Sequence, residues 1–335
     1  MRRVSGWIGL TALAVLLLSV GVWCALALWF RLEIGHLGRD VAGAAMLAAA
    51  AVAAACLATR SRWRVLLPYA GLVLLVLVWW LSLRPSNDRP WAPDVARTAT
   101  GTVDGDRLVV DNVRNFAWRS PTDFDQRWER RSYDLSKLSG VDLIMSHWAG
   151  EEIAHTILSF GFSDGSRLAF SIEIRKEQSE AFSTIAGFFK QYEIAMIAAD
   201  ERDVVRVRSS VRGEDVRIYR LRIAPASARR LLEVYVAEAN DIAQHPRFYN
   251  TLTTNCTTLA FQLVQVVHPA LPLDPRILVS GYLPNYAYDI GAVNTAVPFS
   301  ELRERAKIHD NAPASGDDPS FSARIRESVP PAYGG

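Results

Sequence analysis

The chain has 335 residues, with 37 Lys and Arg against 35 Asp and Glu, for a formal net charge of +2. So even a balance, with no basic block, argues against nucleic-acid binding. Hydrophobic residues make up 50%, more than a soluble domain usually carries, and the excess lies before residue 84.

Three apolar runs account for that excess: Trp7–Phe30, Val41–Ala58 and Val65–Leu83. Each is about long enough to cross a ~30 Å hydrocarbon core. The first is too long for a cleaved signal peptide, and two more spans follow it. Arg2 and Arg3 precede the first span, and Arg60, Arg62 and Arg64 separate the second from the third. The intervening loop balances Arg31 and Arg39 with Glu33 and Asp40. Positive flanks stay cytoplasmic. The chain therefore reads as a bacterial inner-membrane protein with the lipid bilayer as a partner, a cytoplasmic N-terminus and a periplasmic C-terminal domain. Cys24 and Cys56 lie within spans and read as packing residues. Cys256 stands alone outside them, so the exported domain has no intramolecular disulfide partner.

The expected organisation is a three-span anchor over 1–83, an extended Pro-rich tether over 84–105, a soluble domain over 106–306 and a disordered tail over 307–335. Within the domain, Arg107–Val113 and Val141–Ser146 read as strands. His155–Phe162 and Arg167–Ile174 flank Ser163-Asp164-Gly165, a hairpin signal. Glu180–Ile194 reads as a helix, and Val204–Arg208 and Val216–Arg222 as strands about Arg212-Gly213. Ser227 is placed to cap a helix to about Gln244, which Pro246 stops. A last helix runs from Cys256 to Val267, ended by Pro269. Strands and helices segregate in part, which makes the fold class α+β.

The hairpin has a definite register. A three-residue loop with Gly165 left-handed pairs Phe162 with Ser166 and sets His155 opposite Glu173. One face then carries His155, Ser159, Ser171, Glu173 and Arg175, with Ile157 as the apolar exception. The other face is continuously apolar, and such a face fixes a register.

Cys256 follows Asn255 where a polar stretch turns into an apolar helical pattern. A thiol in the first turn of a helix meets the positive end of the dipole and its free N–H groups, which favour thiolate. Thiolate catalysis needs a base and a group that orients it. His155 with Glu173 across the strand pair fits those two roles. Asn255 and the backbone N–H of Cys256 are candidate donors to an oxyanion. The plainer readings stand beside these: Cys256 as a small core residue, His155 as a core histidine, and Glu173 and Arg175 as a solvated face. Asp200-Glu201-Arg202-Asp203 is either a salt-bridged turn or a substrate-recognition cluster. No metal-ligand spacing, phosphate loop or serine elbow occurs, so neither metal nor cofactor is expected.

Four segments carry a resemblance. His155 through Gly165, Ser171 through Arg175, Ala199 through Asp203, and Phe248 through Cys256 together resemble the Lnb N-terminal periplasmic domain family, over roughly residues 110–290. More loosely, a strand histidine followed by Asn-Cys at a helix start is similar to the circularly permuted papain-like hydrolases, including the lecithin–retinol acyltransferase and PPPDE groups. That second likeness implies a permuted papain-like fold, with Cys256 as nucleophile, His155 as base and Glu173 as third residue. The reading that follows is a membrane-anchored periplasmic cysteine hydrolase or acyltransferase acting on an amide or ester. Arg175, Arg202, Ser159, Ser171, Asn255, Glu201 and Asp203 are substrate-binding candidates, and a lipid-linked group, lipoprotein or cell-wall peptide is the candidate substrate. The alternative is a non-catalytic envelope-binding or assembly module that keeps the fold.

Overall fold

The computed structural model describes residues 2–308 and 318–333, with side chains described from Trp7 onward. It divides into two compact units, one of residues 1–85 with 183–191, the other of residues 86–182 with 192–335.

The first unit holds helices α1 (Arg2–Arg31), α2 (His36–Ala55) and α3 (Trp63–Ser82). All three are long and apolar enough to cross a membrane, over Trp7–Arg31, His36–Ala58 and Trp63–Ser82. Gly21 lets α1 approach α2 closely, since a Cβ there would lie 2.3 Å from that of Ala50. Cys24, Ala50, Ala53 and Tyr69 are buried between the helices. The Tyr69 hydroxyl donates to the carbonyl of Leu17 at 2.7 Å, so the one phenol in this core is satisfied.

The second unit is built on an eight-stranded sheet. Its strands are β1 (Thr100–Asp104), β2 (Arg107–Arg114), β5 (Trp128–Asp134), β6 (Leu138–His147), β7 (Ala154–Phe162), β8 (Arg167–Arg175), β9 (Glu193–Ala199) and β10 (Asp215–Arg220). A separate two-stranded ribbon pairs β3 (Ala117–Trp118) with β4 (Phe124–Asp125). The sheet order is β1-β2-β9-β8-β7-β6-β10, with β5 also paired to β2. All ladders are antiparallel except the short β2–β9 contact. The helices are α4 (Glu201–Val204), α5 (Pro225–Gln244), α6 (Cys256–Val267), α7 (Leu283–Asp289), α8 (Phe299–Arg305) and α9 (Phe321–Arg324). The class is α+β.

The β7–β8 hairpin has the expected register. Gly165 has φ +87°, its N–H donates to Phe162 O, and Ile157 pairs with Ser171. Beyond the end of this ladder, the His155 and Glu173 side chains meet, with Nε2 3.2 Å from Oε1. Both faces of this hairpin are covered. Phe160 and Phe170 pack on Tyr235 of α5. On the other face Ile157, Ala169 and Ile197 join a core with Phe321, Ile325 and Val329. On that second face His155, Ser159, Ser171 and Arg175 are therefore buried and Glu173 is half-buried, and internal hydrogen bonds and ion pairs satisfy them.

Several expectations are corrected here. Glu180–Ile194 is a looped segment with one 3₁₀ turn, Ala186–Phe188, that leads into β9. The apolar run Ile194–Ala199 is drawn into the sheet between β2 and β8, where backbone pairing outweighs helix propensity. Val204–Arg208 is helical, because Asp200 caps the turn by accepting from Arg202 N. The 84–105 stretch is pinned rather than extended and free. Ser86 N donates to Glu193, Asn87 donates to Ala243 O at 2.8 Å, and Trp91 is buried under Arg175. The tail is not disordered over 318–333, since Phe321, Ile325 and Arg326 are buried. Residues 309–317 of that expected tail lie outside the described residues.

Candidate active site

Asn255 builds the local geometry around the thiol. Its side-chain oxygen accepts from Thr257 N at 2.9 Å and Thr258 N at 2.8 Å, while Thr258 Oγ1 accepts from Asn255 N at 2.8 Å. This capping box starts α6 and puts Cys256 at its first position. There the Cys256 N–H has no acceptor within the helix. Asn255 Nδ2 donates to Thr251 O at 2.7 Å, so the whole amide serves the cap and is not poised over the thiol. We expect Asn255→Ala to cost about 1 kcal/mol of stability, read as a lower thermal midpoint in detergent. Asn255→Asp should recover most of that loss; equal loss in both variants would contradict the capping role.

α6 packs against β7 and β8. The Thr156 and Thr257 hydroxyls meet at 2.9 Å and hold the helix start to β7 beside His155. His155 is buried, and its Nε2 lies 2.7 Å from Ser171 Oγ and 3.2 Å from Glu173 Oε1. Ser171 donates to the same carboxylate oxygen at 2.6 Å. With Nε2 engaged, Nδ1 is the ring nitrogen left free for Cys256, whose thiol lies within reach of the His155 charge. Arg208 Nη2 also donates to Glu173 Oε1, at 3.1 Å. Its other amino group reaches Glu214 at 3.3 Å, and Ser146 donates to that second carboxylate.

The charges follow from these contacts. Burial opposes ionisation of Cys256, but the His155 charge, its hydrogen bond, the Thr156 backbone N–H and the Thr257 hydroxyl outweigh it. The thiol is held below its ordinary pKa. Burial and the Arg208 guanidinium oppose protonation of His155, yet Glu173 and Cys256 push it up to about 9. Glu173 is held well below the usual carboxylate range despite burial, by His155 and then Arg208. Each shift favours the charged form, thiolate, imidazolium and carboxylate. The imidazolium donates from Nε2 to Ser171, which passes a hydrogen bond to Glu173. Tyr249 is buried nearby and its phenol is kept protonated, first by burial and then by the charges of Cys256 and Glu173.

Cys256, His155, Glu173 and Ser171 therefore come together. The other sequence candidates lie elsewhere. Arg175 is buried, stacked on Trp91 at 4.6 Å and bonded to Val95 O, Ala96 O and Asn87. Ser159 donates to Glu201 at 2.5 Å, and Glu201 is fully buried against Arg326. Asp203 is fully buried, accepting from Arg114, Phe116 N and the Trp118 indole. Arg202 is paired to Asp200 at 2.8 Å. These five residues hold the fold through those contacts. Sequence reasoning missed Arg208, Thr156 and Tyr249. Only Tyr249, two residues past Arg247 in the Phe-Tyr-Asn run before the thiol, carried a hint.

Residues 124–281 match the family model of the Lnb N-terminal periplasmic domain. That stretch holds His155, Ser171, Glu173, Arg208 and Cys256. No curated protein and no solved structure matches the chain. The match and the three apolar helices together fit an inner-membrane protein with a periplasmic domain. Among the described residues, no cluster of His, Cys, Asp and Glu is arranged to hold a metal ion.

Proposed function

We propose that this protein is a membrane-anchored periplasmic thiol hydrolase or acyltransferase of permuted papain-like type, with its N-terminus cytoplasmic. The observation that carries the reading is the interaction of the Cys256 sulfur with His155, whose far nitrogen is held by Ser171 and Glu173. The thiolate would attack the carbonyl carbon of an amide or ester, and the C=O electron pair would move onto oxygen. The Cys256 N–H at the mouth of α6 is placed to stabilise that oxyanion. Collapse would break the bond to the leaving group, which takes the Nδ1 proton of His155, and a thioester remains. Neutral imidazole then removes a proton from the incoming water, alcohol or amine, and the thiolate leaves. Glu173 would stabilise the imidazolium and fix its ring. Three spans beside the domain favour a substrate near the membrane: a lipid-linked acyl group, a lipoprotein or a cell-wall peptide.

Iodoacetamide tests the nucleophile directly. The native full-length protein in detergent should be alkylated on Cys256 at neutral pH, and Cys256→Ala should lose that adduct. Cys256→Ser should also fail to complement a chromosomal deletion. An unreactive Cys256 would sink the reading. Full complementation by Cys256→Ser would favour a binding module instead.

A further inference from the structure

We infer that the loop joining β8 to β9 dips into the lipid leaflet on the side of the membrane where α1 and α3 end, through Ile185 and Phe188. These residues are 57% and 43% exposed. Large apolar residues exposed side by side mark a surface made for an apolar partner. The turn Ala186–Phe188 is 3₁₀, whose three-residue period puts Ile185 and Phe188 on one side. Ala186, Gly187 and Phe189 are buried on the other.

The occupant is indicated by continuity with the spans. Residues 183–191 belong to the same compact unit as the three membrane helices. Phe189 stacks on Phe30 at 5.4 Å and meets Trp80 at 6.2 Å. Lys190 Nζ donates to Trp80 O at 2.9 Å and lies 4.9 Å from the centre of that ring. Phe30 and Trp80 stand one and two residues from the ends of α1 and α3, where hydrocarbon gives way to headgroups and aromatic residues concentrate. Arg31 and Arg84 act electrostatically on Lys190, so cations gather at that level, suited to headgroup phosphates. Exposed apolar residues three positions apart in a segment packed on the span ends have the bilayer as their nearest apolar medium.

The inference stands whether or not Cys256 is a nucleophile, because its test reads lipid contact alone.

The test is p-benzoylphenylalanine placed singly at Ile185, Phe188 and, as a control, the exposed Val103 of β1, in full-length protein reconstituted in phosphatidylethanolamine–phosphatidylglycerol nanodiscs. After irradiation, intact mass spectrometry should find phospholipid adducts at 185 and 188, at least about tenfold above those at 103. Three results would overturn the inference: no lipid adducts at 185 and 188, equal adducts at all three positions, or capture of scaffold or partner protein alone. Phenylalanine-like substitutions at exposed sites spare the fold, and recovery of monodisperse protein checks that.

Discussion

His155→Ala should slow alkylation of Cys256 by iodoacetamide at pH 7 by at least about tenfold, since an ordinary thiol is only a few per cent thiolate there. The direction follows from the contacts of the sulfur. Burial alone would raise the Cys256 pKa, and the imidazolium is the largest influence holding it down. Remove it, and the thiol pKa rises. In the native protein the alkylation rate should rise through a midpoint below the ordinary thiol range. A second change is expected as pH rises through about 9, where His155 gives up its proton. The thiolate survives that step, but the acid for leaving-group expulsion does not. Any hydrolase or transferase activity should therefore fall above pH 9 while alkylation does not. Glu173→Gln should lower the upper limit, because the carboxylate is the largest of the influences that favour the imidazolium. A pH profile of alkylation unchanged between native and His155→Ala protein would show that no ion pair exists.

Arg326→Ala should lower the thermal midpoint of the domain by about 10 °C, from a loss of about 3–5 kcal/mol. Arg326 is buried and donates to Asp142 Oδ2 at 2.7 Å and to both oxygens of Glu201. Glu201 has no exposed surface, and Asp142 is buried too. Deleting the guanidinium leaves Glu201 with one hydrogen bond, from Ser159, and leaves Arg167 to serve both Glu201 and Asp142. Such a charge is far costlier left alone than replaced together with its partner. Glu201→Gln combined with Arg326→Met should thus recover part of the loss. Truncation after residue 317 should be at least as damaging, since it also removes Phe321, Ile325 and Val329 from the core. Differential scanning fluorimetry in detergent reads all three. A truncated protein with a native midpoint would return the last residues to the status of a dispensable tail.

Both experiments probe the same polar face of the β7–β8 hairpin. The loop Ser163-Asp164-Gly165 sets the β7–β8 register by purely local chemistry: Asp164 accepts from Ser166 N and Oγ, and Gly165 takes the positive φ. From that register alone His155 faces Glu173. The helix start at Cys256 is local as well, because Asn255 and Thr258 complete the cap within four residues. These are short-range signals, and sequence carries short-range signals well.

What surrounds them is not local. Ser159, Ser171 and Arg175 alternate along the hairpin like a wetted face, and nothing nearby in the chain says otherwise. Their partners arrive from positions as remote as Asn87 and Glu201, and Glu201 in turn pairs with Arg326. Likewise Arg208 reads as part of an alternating strand, yet a helical turn delivers it to Glu173 across 35 positions. Long-range ion pairs leave no periodicity, so residues that only neutralise buried charge are indistinguishable in sequence from residues that bind a substrate.

By itself, then, the sequence determined three membrane-length helices, the hairpin register and a capped helix that opens with a cysteine, because each rests on hydrophobic length, turn geometry or capping within a few residues. Only the tertiary structure decided that the sulfur meets the imidazole, that Ser171 and Arg208 both serve Glu173, and that the last segment seals the core. Those outcomes depend on side chains brought from separate elements into one low-dielectric interior, where unpaired charge is too costly to leave.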